Sequence, residues 1–334
     1  MKKEIKTIAI VRLSALGDIV NTALVLEFIH QHYPHAKIEW ITEAFFAPLL
    51  EGHPLLHKVH SIDLKRVKKE KNLFLLKEII SKLRSLGNFD IIIDMQGLLK
   101  SAIVARLLGK NTHGFDKNSS REALSSLFYK TSSSVVYEEN IVKRNCFLVA
   151  DALGFEINDA MILNKKPIFP ITQTFDFAHE KKNIAFVIGA SWESKKYPKE
   201  LVVEVCNNLQ ENCLLIWGNE AEKEEAGFIA AHSAFASIAP KLTLNALVSY
   251  ISGVDLLIGN DTGPTHMAWA QNIPSITLLG PTTARMLYET PKNIAIKSPS
   301  KVNILKIDKN DFSIKEISPQ TVVQKAKELL ENGI

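Results

Sequence analysis

The sequence predicts an α/β protein of two doubly wound halves facing a cleft, and three observations carry that prediction. Short runs rich in Val, Ile and Leu alternate with longer amphipathic stretches, the pattern of βαβ units around parallel sheets. The alternation runs twice, and 334 residues suit about two domains of roughly 150 residues each. Between the two runs lies segment 166–182, with Pro167, Pro170 and little periodicity, which reads as a linker.

In the first half, 1–165, strands are expected at 7–11, 37–41, 58–62 and 90–94, each a short apolar or β-branched run with polar flanks. Helices are expected at 19–32, 72–86 and 98–108, where apolar residues recur every three to four positions. After Gly109 the stretch through Phe155 reads as mostly helical, including 120–129 and 138–153. The second half, 183–317, offers strands at 184–188, 213–217, 254–258 and 275–279, separated by helices at 198–209, 221–231, 244–251 and 265–270. A last helix, 318–330 within the terminal segment 318–334, lies beyond the second sheet and is expected to return and cover the N-terminal domain. In such sheets ligands bind at the carboxyl ends of the strands, so the loops that follow strands hold the chemistry.

Composition excludes several classes. With 46% hydrophobic and 23% charged residues the chain is ordinary globular material, not disordered or low in complexity. Charges interrupt every apolar run well short of the roughly 18 residues that span a bilayer. The apolar stretch after Lys2 and Lys3 is only 8–11, too short for a secretory signal, so a cytoplasmic protein is expected. Cys146, Cys206 and Cys213 are scattered, with no CxxC, and suggest neither a disulfide framework nor a zinc site.

The net charge of +4 is unevenly spread. Residues 58–84 carry nine Lys/Arg, Arg66 among them, against Asp63, Glu70 and Glu78, leaving the rest of the chain slightly acidic. Such a segment reads either as a solvated helix face or as an attractor of nucleic acid, anionic lipid or a phosphorylated, carboxylated glycan. No nucleic-acid-binding motif and no aromatic stacking platform accompanies it, so nucleic acid is not an expected partner.

Four loops carry candidate chemistry. Arg12-Leu13-Ser14-Ala15-Leu16-Gly17-Asp18 leads from the first strand into a helix; Asp18 reads as an N-terminal capping residue or as a carboxylate serving as general base. No GxGxxG dinucleotide fingerprint occurs. Asp94-Met95-Gln96-Gly97-Leu98-Leu99-Lys100-Ser101 repeats the arrangement after the fourth strand, and Ser119-Ser120-Arg121-Glu122 opens the next element. Lys100 and Arg121 are surface charges or cations on the same side of the sheet as Asp18. In the second half, Ser191 and Lys195 precede a helix expected at Pro198 and form a plausible phosphate clamp. Asn260-Asp261-Thr262-Gly263-Pro264-Thr265-His266 makes a strand-to-helix turn where Gly263 allows close backbone approach and the next amides point at an anion such as a diphosphate. Turn-forming and capping roles for Asp261 and His266 stand beside that reading.

In this order, segments 14–18, 94–101, 121–129 (REALSSLFY), 217–220 and 261–266 resemble the lipopolysaccharide heptosyltransferases, inverting glycosyltransferases of GT-B architecture, and the resemblance runs over 8–280. It implies transfer of L-glycero-D-manno-heptose from ADP-L-glycero-β-D-manno-heptose, bound by the second domain, to a Kdo of Kdo-lipid A, bound by the first, in inner-core synthesis. It implies Asp18 as catalytic base, and Lys195 with Ser191 at the phosphates, Lys196 being the adjacent alternative. Asp261 is implied at the donor heptose, Thr262 and Gly263 at the diphosphate turn, His266 beside it, Glu220 near the adenosine, and Lys100, Arg121 and Arg66 at the acceptor. No cofactor is implied, and the absence of a DxD motif favours a metal-independent reaction. The implied address is peripheral, at the cytoplasmic face of the inner membrane. Two alternatives stay open: a later-acting heptosyltransferase working on a heptosylated core, and a non-catalytic nucleotide-sugar or anionic-glycan binder on the same scaffold.

Overall fold

The structure, a computed structural model, describes residues 4–177, 179–303 and 307–331. The chain divides into two compact units, 1–170 and 171–334. Ala178 of the expected linker and the last three residues of segment 318–334 lie outside the described residues.

The first unit is wound on six parallel strands: β1 (Thr7–Val11), β2 (Lys37–Glu43), β3 (Lys58–Ile62), β4 (Ile91–Asp94), β5 (Thr112–Phe115) and β6 (Thr131–Ser133). Their order is β3-β2-β1-β4-β5-β6. Ile8, Ala9, Ile10 and Val11 of β1 are all fully buried. This is why the strand reads as an unbroken apolar run: a parallel sheet is covered on both faces. The sheet reverses its winding between β1 and β4, which pair in parallel with Val11 opposite Asp94.

The second unit repeats the plan with β7 (Asn183–Val187), β8 (Asn212–Ile216), β9 (Ala236–Ile238), β10 (Leu256–Asn260), β11 (Ser275–Leu279) and β12 (Asn293–Lys297). Their order is β12-β11-β10-β7-β8-β9, so the winding reverses between β7 and β10. Each unit therefore has its own topological switch point, where two adjacent strands send their following loops apart and leave room for a ligand.

Two expectations need correction. The stretch 110–155 is not mostly helical: it holds β5, β6 and a 3-10 turn, Ala123–Phe128, before the helix Ile141–Leu153. Ser125 and Ser126 sit within that turn, and serine favours local side-chain bonding over a regular helix. The expected helix 19–32 is two, Leu16–Ala23 and Val25–His32, interrupted at Leu24, whose backbone keeps α-helical angles. The terminal helix, Pro319–Glu331, packs on the helix Lys199–Leu209 and against β10 and β11 of its own unit. Its stripe of Val322, Ala326 and Leu329, spaced four and three residues apart, is buried in the second core.

Candidate active site

In the first unit the loops after β1 and β4 are tied together. Gln96 accepts from the Leu13 amide at 2.9 Å and its Nε2 lies 3.5 Å from Ser14 Oγ. Asp94, fully buried at the end of β4, accepts from Ser101 Oγ at 2.8 Å and Tyr129 Oη at 2.7 Å. Burial raises its pKa, against the hydrogen bonds that favour the carboxylate. It anchors the loop and lies beneath the surface rather than in it.

Asp18 falls in the first turn of the helix Leu16–Ala23, three residues after Ala15 at the cap position. Its Oδ2 accepts from the Ala15 amide at 3.1 Å and its Oδ1 meets Arg12 at 2.8 Å. From the third helical position the carboxylate thus bonds back to the amide of the cap residue Ala15, and it remains half-exposed at the switch point. Arg12 is buried and also donates to the Met95 carbonyl, so the carboxylate is held from a fixed base. Lys100 Nζ reaches Ser14 Oγ at 3.4 Å, which brings it to the Asp18 loop. Arg121 is exposed beside Glu122, whose carboxylate accepts from the Leu99 amide at 2.7 Å. Arg66 instead sits exposed on the helix Leu64–Glu70, with Nε donating to Glu70 at 2.9 Å.

The second unit gathers its residues more tightly. Asn260, buried at the end of β10, donates to the carbonyls of Ile188 (3.0 Å) and Gly189 (3.2 Å) and accepts from the Tyr197 amide at 3.0 Å. One side chain thereby fixes the loop after β7 against the loop after β10. Lys195 Nζ meets Asp261 Oδ2 at 2.8 Å and His266 Nε2 meets Asp261 Oδ1 at 3.2 Å, all three residues being buried. Burial opposes ionisation of Asp261, but His266 and Lys195 outweigh it and hold the carboxyl well below the usual carboxylate range. One carboxylate thus faces a lysine, a histidine and the start of the helix Gly263–Ala270, whose cap position is Thr262. An ammonium has three donors and Asp261 takes one. The remaining donors and the free amides of the helix start suit a second anion.

Lys196 is engaged elsewhere, 3.0 Å from both Glu193 and Glu225. Ser191 is exposed, and Trp192 beside it lies under Lys195 and Lys309, each 5.1 Å from its ring centre. Glu220 is exposed and faces Lys223 at 3.7 Å.

Sequence reading left four residues without a role. Arg12 and Asn260 stand inside the motifs but were indistinguishable from ordinary loop residues. Glu43, buried at the end of β2 with its pKa raised by burial against Lys100 and Lys65, could have been noticed as a charge closing an apolar strand. Glu222 accepts from the Gly218 amide at 2.7 Å, and its carboxylate fills the space where a Cβ on Gly189 would stand. It therefore lies at the carboxyl ends of β7 and β8, where Glu220 was expected to act.

Two sheets of the same winding, one presenting a held carboxylate and the other a cationic cradle at a helix start, fit a glycosyltransferase of the GT-B class. The family model described as glycosyltransferase family 9 (heptosyltransferase) matches residues 78–310, and the chain belongs to that family. It is 35% identical to lipopolysaccharide heptosyltransferase 1 of Campylobacter coli, over 96% of this chain and 98% of the relative. It is 30% identical to lipopolysaccharide heptosyltransferase 1 of Pseudomonas aeruginosa, over 82% and 79% of the two chains. Among solved structures it is similar to the E. coli heptosyltransferase WaaC with ADP-2-deoxy-2-fluoro heptose, with a TM-score of 0.79, 25% identity and coverage of 96% and 99%.

Proposed function

We propose that the chain transfers L-glycero-D-manno-heptose, with inversion, from ADP-heptose to a Kdo hydroxyl of Kdo-lipid A, in the synthesis of the lipopolysaccharide inner core. The observation that carries this reading is the buried Lys195–Asp261–His266 cluster at the start of Gly263–Ala270, at the switch point of the second sheet. Its relatives named lipopolysaccharide heptosyltransferase 1, and a similar structure holding an ADP-heptose analogue, support the donor and the transferred sugar.

In this reading Asp18 takes the proton of the acceptor hydroxyl as its oxygen bonds to the anomeric carbon, while the bond from that carbon to the diphosphate oxygen breaks and ADP departs with the electron pair. Charge grows on the leaving diphosphate. Lys195, with the amides of Thr262 and Gly263 and the Thr262 hydroxyl at the helix start, stabilises it, each well-placed donor being worth about 3–4 kcal/mol. Asp261 orients Lys195 and presents its carboxylate to the donor heptose, with His266 locking it in place. Ser191 adds a hydroxyl at the phosphates. Glu220 stands near the adenosine, and Glu222, which fills the space beside Gly189, accepts from ribose hydroxyls in this reading, a use of acidic residues at the ends of such strands. Lys100 and Arg121 meet Kdo carboxylates, and Arg66, held by Glu70, contributes from the basic segment.

Because protein cations serve the leaving group, turnover is expected to persist in EDTA; loss of activity there, restored by Mg²⁺, would contradict this. Among the described residues no helix is long and apolar enough to cross a membrane. We read the enzyme as acting peripherally, at the cytoplasmic face of the inner membrane that displays the acceptor. A coupled assay of ADP release with Kdo-lipid A and with its heptosylated product tests the acceptor. Turnover confined to Kdo-lipid A is expected, and turnover confined to the heptosylated compound would make this a later-acting member.

A further inference from the structure

The edge of the first sheet that carries Asp18 also carries an apolar and basic rim. Phe45 follows β2 and is 67% exposed, with Lys65 Nζ lying 5.7 Å from its ring centre. The helix Leu64–Glu70 follows β3 and ends at Lys71 in a left-handed conformation, φ +50°. Asn72 then caps the helix Leu73–Ser85, accepting from the Phe74 and Leu75 amides at 3.0 Å. That corner sets Leu73 and Phe74 at the first two helical positions, 71% and 70% exposed. The helix runs back to the start of β4, so its own start lies at the carboxyl edge of the sheet. After β5, on the same edge, Leu124 and Leu127 are 64% and 78% exposed.

Scattered exposed apolar residues are ordinary, but adjacent ones set among cations are not. Lys65, Lys68, Lys69 and Lys71 are all exposed, while Glu70, the acid within this helix, is engaged by Arg66. Asn72 bonds the first amides of the helix, so the tip presents side chains rather than unpaired backbone. Aromatic and leucyl groups flanked by lysines suit the boundary of an anionic bilayer, where the rings and Leu enter the acyl region and the ammonium groups meet phosphate.

We propose that this corner, Leu73 and Phe74 with the flanking lysines, inserts into an anionic phospholipid bilayer and brings the Asp18 edge of the sheet to the membrane surface. The proposal rests on the reading that the acceptor is held in a membrane, and it assigns the anchoring to lipid itself and not to the acceptor. The test uses the full chain and vesicles of phosphatidylcholine with and without 30% phosphatidylglycerol, without donor, first without acceptor and then with Kdo-lipid A added to the bilayer. Cosedimentation with the anionic vesicles, weakening steeply with salt, is expected. Leu73→Ser with Phe74→Ser should weaken it at least tenfold without altering turnover on a water-soluble, deacylated Kdo acceptor. Lys68→Gln, Lys69→Gln and Lys71→Gln together should weaken it similarly and flatten the salt dependence. The native cysteines are buried, so a polarity-sensitive dye on Phe74→Cys reports insertion by a blue shift with anionic vesicles. Undiminished binding by the Leu73/Phe74 variant, an unshifted dye, binding only to vesicles that contain the acceptor, or binding of an RNA oligomer in place of vesicles would each overturn the proposal. Failure of the wild-type enzyme on the soluble acceptor would instead count against the transfer reaction and leave vesicle binding standing.

Discussion

Asp261 is buried between Lys195 and His266, and these neighbours make its behaviour calculable in sign. A carboxyl whose folded pKa is depressed contributes stability that is present above its unfolded pKa, about 3.9, and is lost as pH falls through the folded value. Asp261→Asn should therefore lower the melting temperature clearly at pH 7, because it leaves the Lys195 ammonium buried without its counter-charge, a cost of about 3–5 kcal/mol. The gap from wild type should narrow as pH falls below about 4. Thermal melts across pH 3–7 check this, and a gap that widens in acid would contradict it. Lys195 and Lys196 are adjacent in sequence and unlike in structure. Lys195→Met should weaken ADP binding by roughly 10- to 100-fold, the scale of a lost charged hydrogen bond of about 1.5–3 kcal/mol, whereas Lys196→Met should change it less than about threefold by calorimetry. The sequence could narrow the choice to these two lysines, but only the Asp261 contact of one and the Glu193 and Glu225 contacts of the other separate them.

At the scale of elements, the strands buried on both faces were legible because each is a continuous apolar run with turn residues beside it. β5 (THGF) and β6 (TSS) were not, since four and three residues with polar members carry no period, and their pairing is imposed by β4 and by each other. The terminal helix was legible as a helix, but its packing on Lys199–Leu209 was not, because an apolar stripe says that a face is buried and not against what. Its placement makes a prediction. Val322 is fully buried in the second core, so Val322→Asp should destabilise the protein by roughly 3 kcal/mol or more, charge burial adding to lost packing. The same substitution at exposed Lys327 should cost less than about 0.5 kcal/mol. Denaturant titration of both variants measures the contrast.

For the whole molecule, the doubling of one winding order explains why the motifs come in two pairs. Each sheet reverses between its first and fourth strands, and the ends of those strands with the loops that follow carry Asp18 and Asp94 in one unit and Lys195 and Asp261 in the other. That pairing could be seen in the sequence as four loops after four apolar strands. What could not be seen were the buried groups that hold them, Arg12 under Asp18 and Asn260 between the second pair, because nothing in a loop sequence distinguishes a brace from a bystander. The account stands on Asp18 moving a proton while other residues hold the donor, and Asp18→Asn isolates that step by keeping size and the Ala15 amide partner. Measured together on this variant, single-turnover heptose transfer should fall at least about 100-fold, while the Kd for ADP stays within twofold of wild type. Transfer at near the wild-type rate would contradict the central claim.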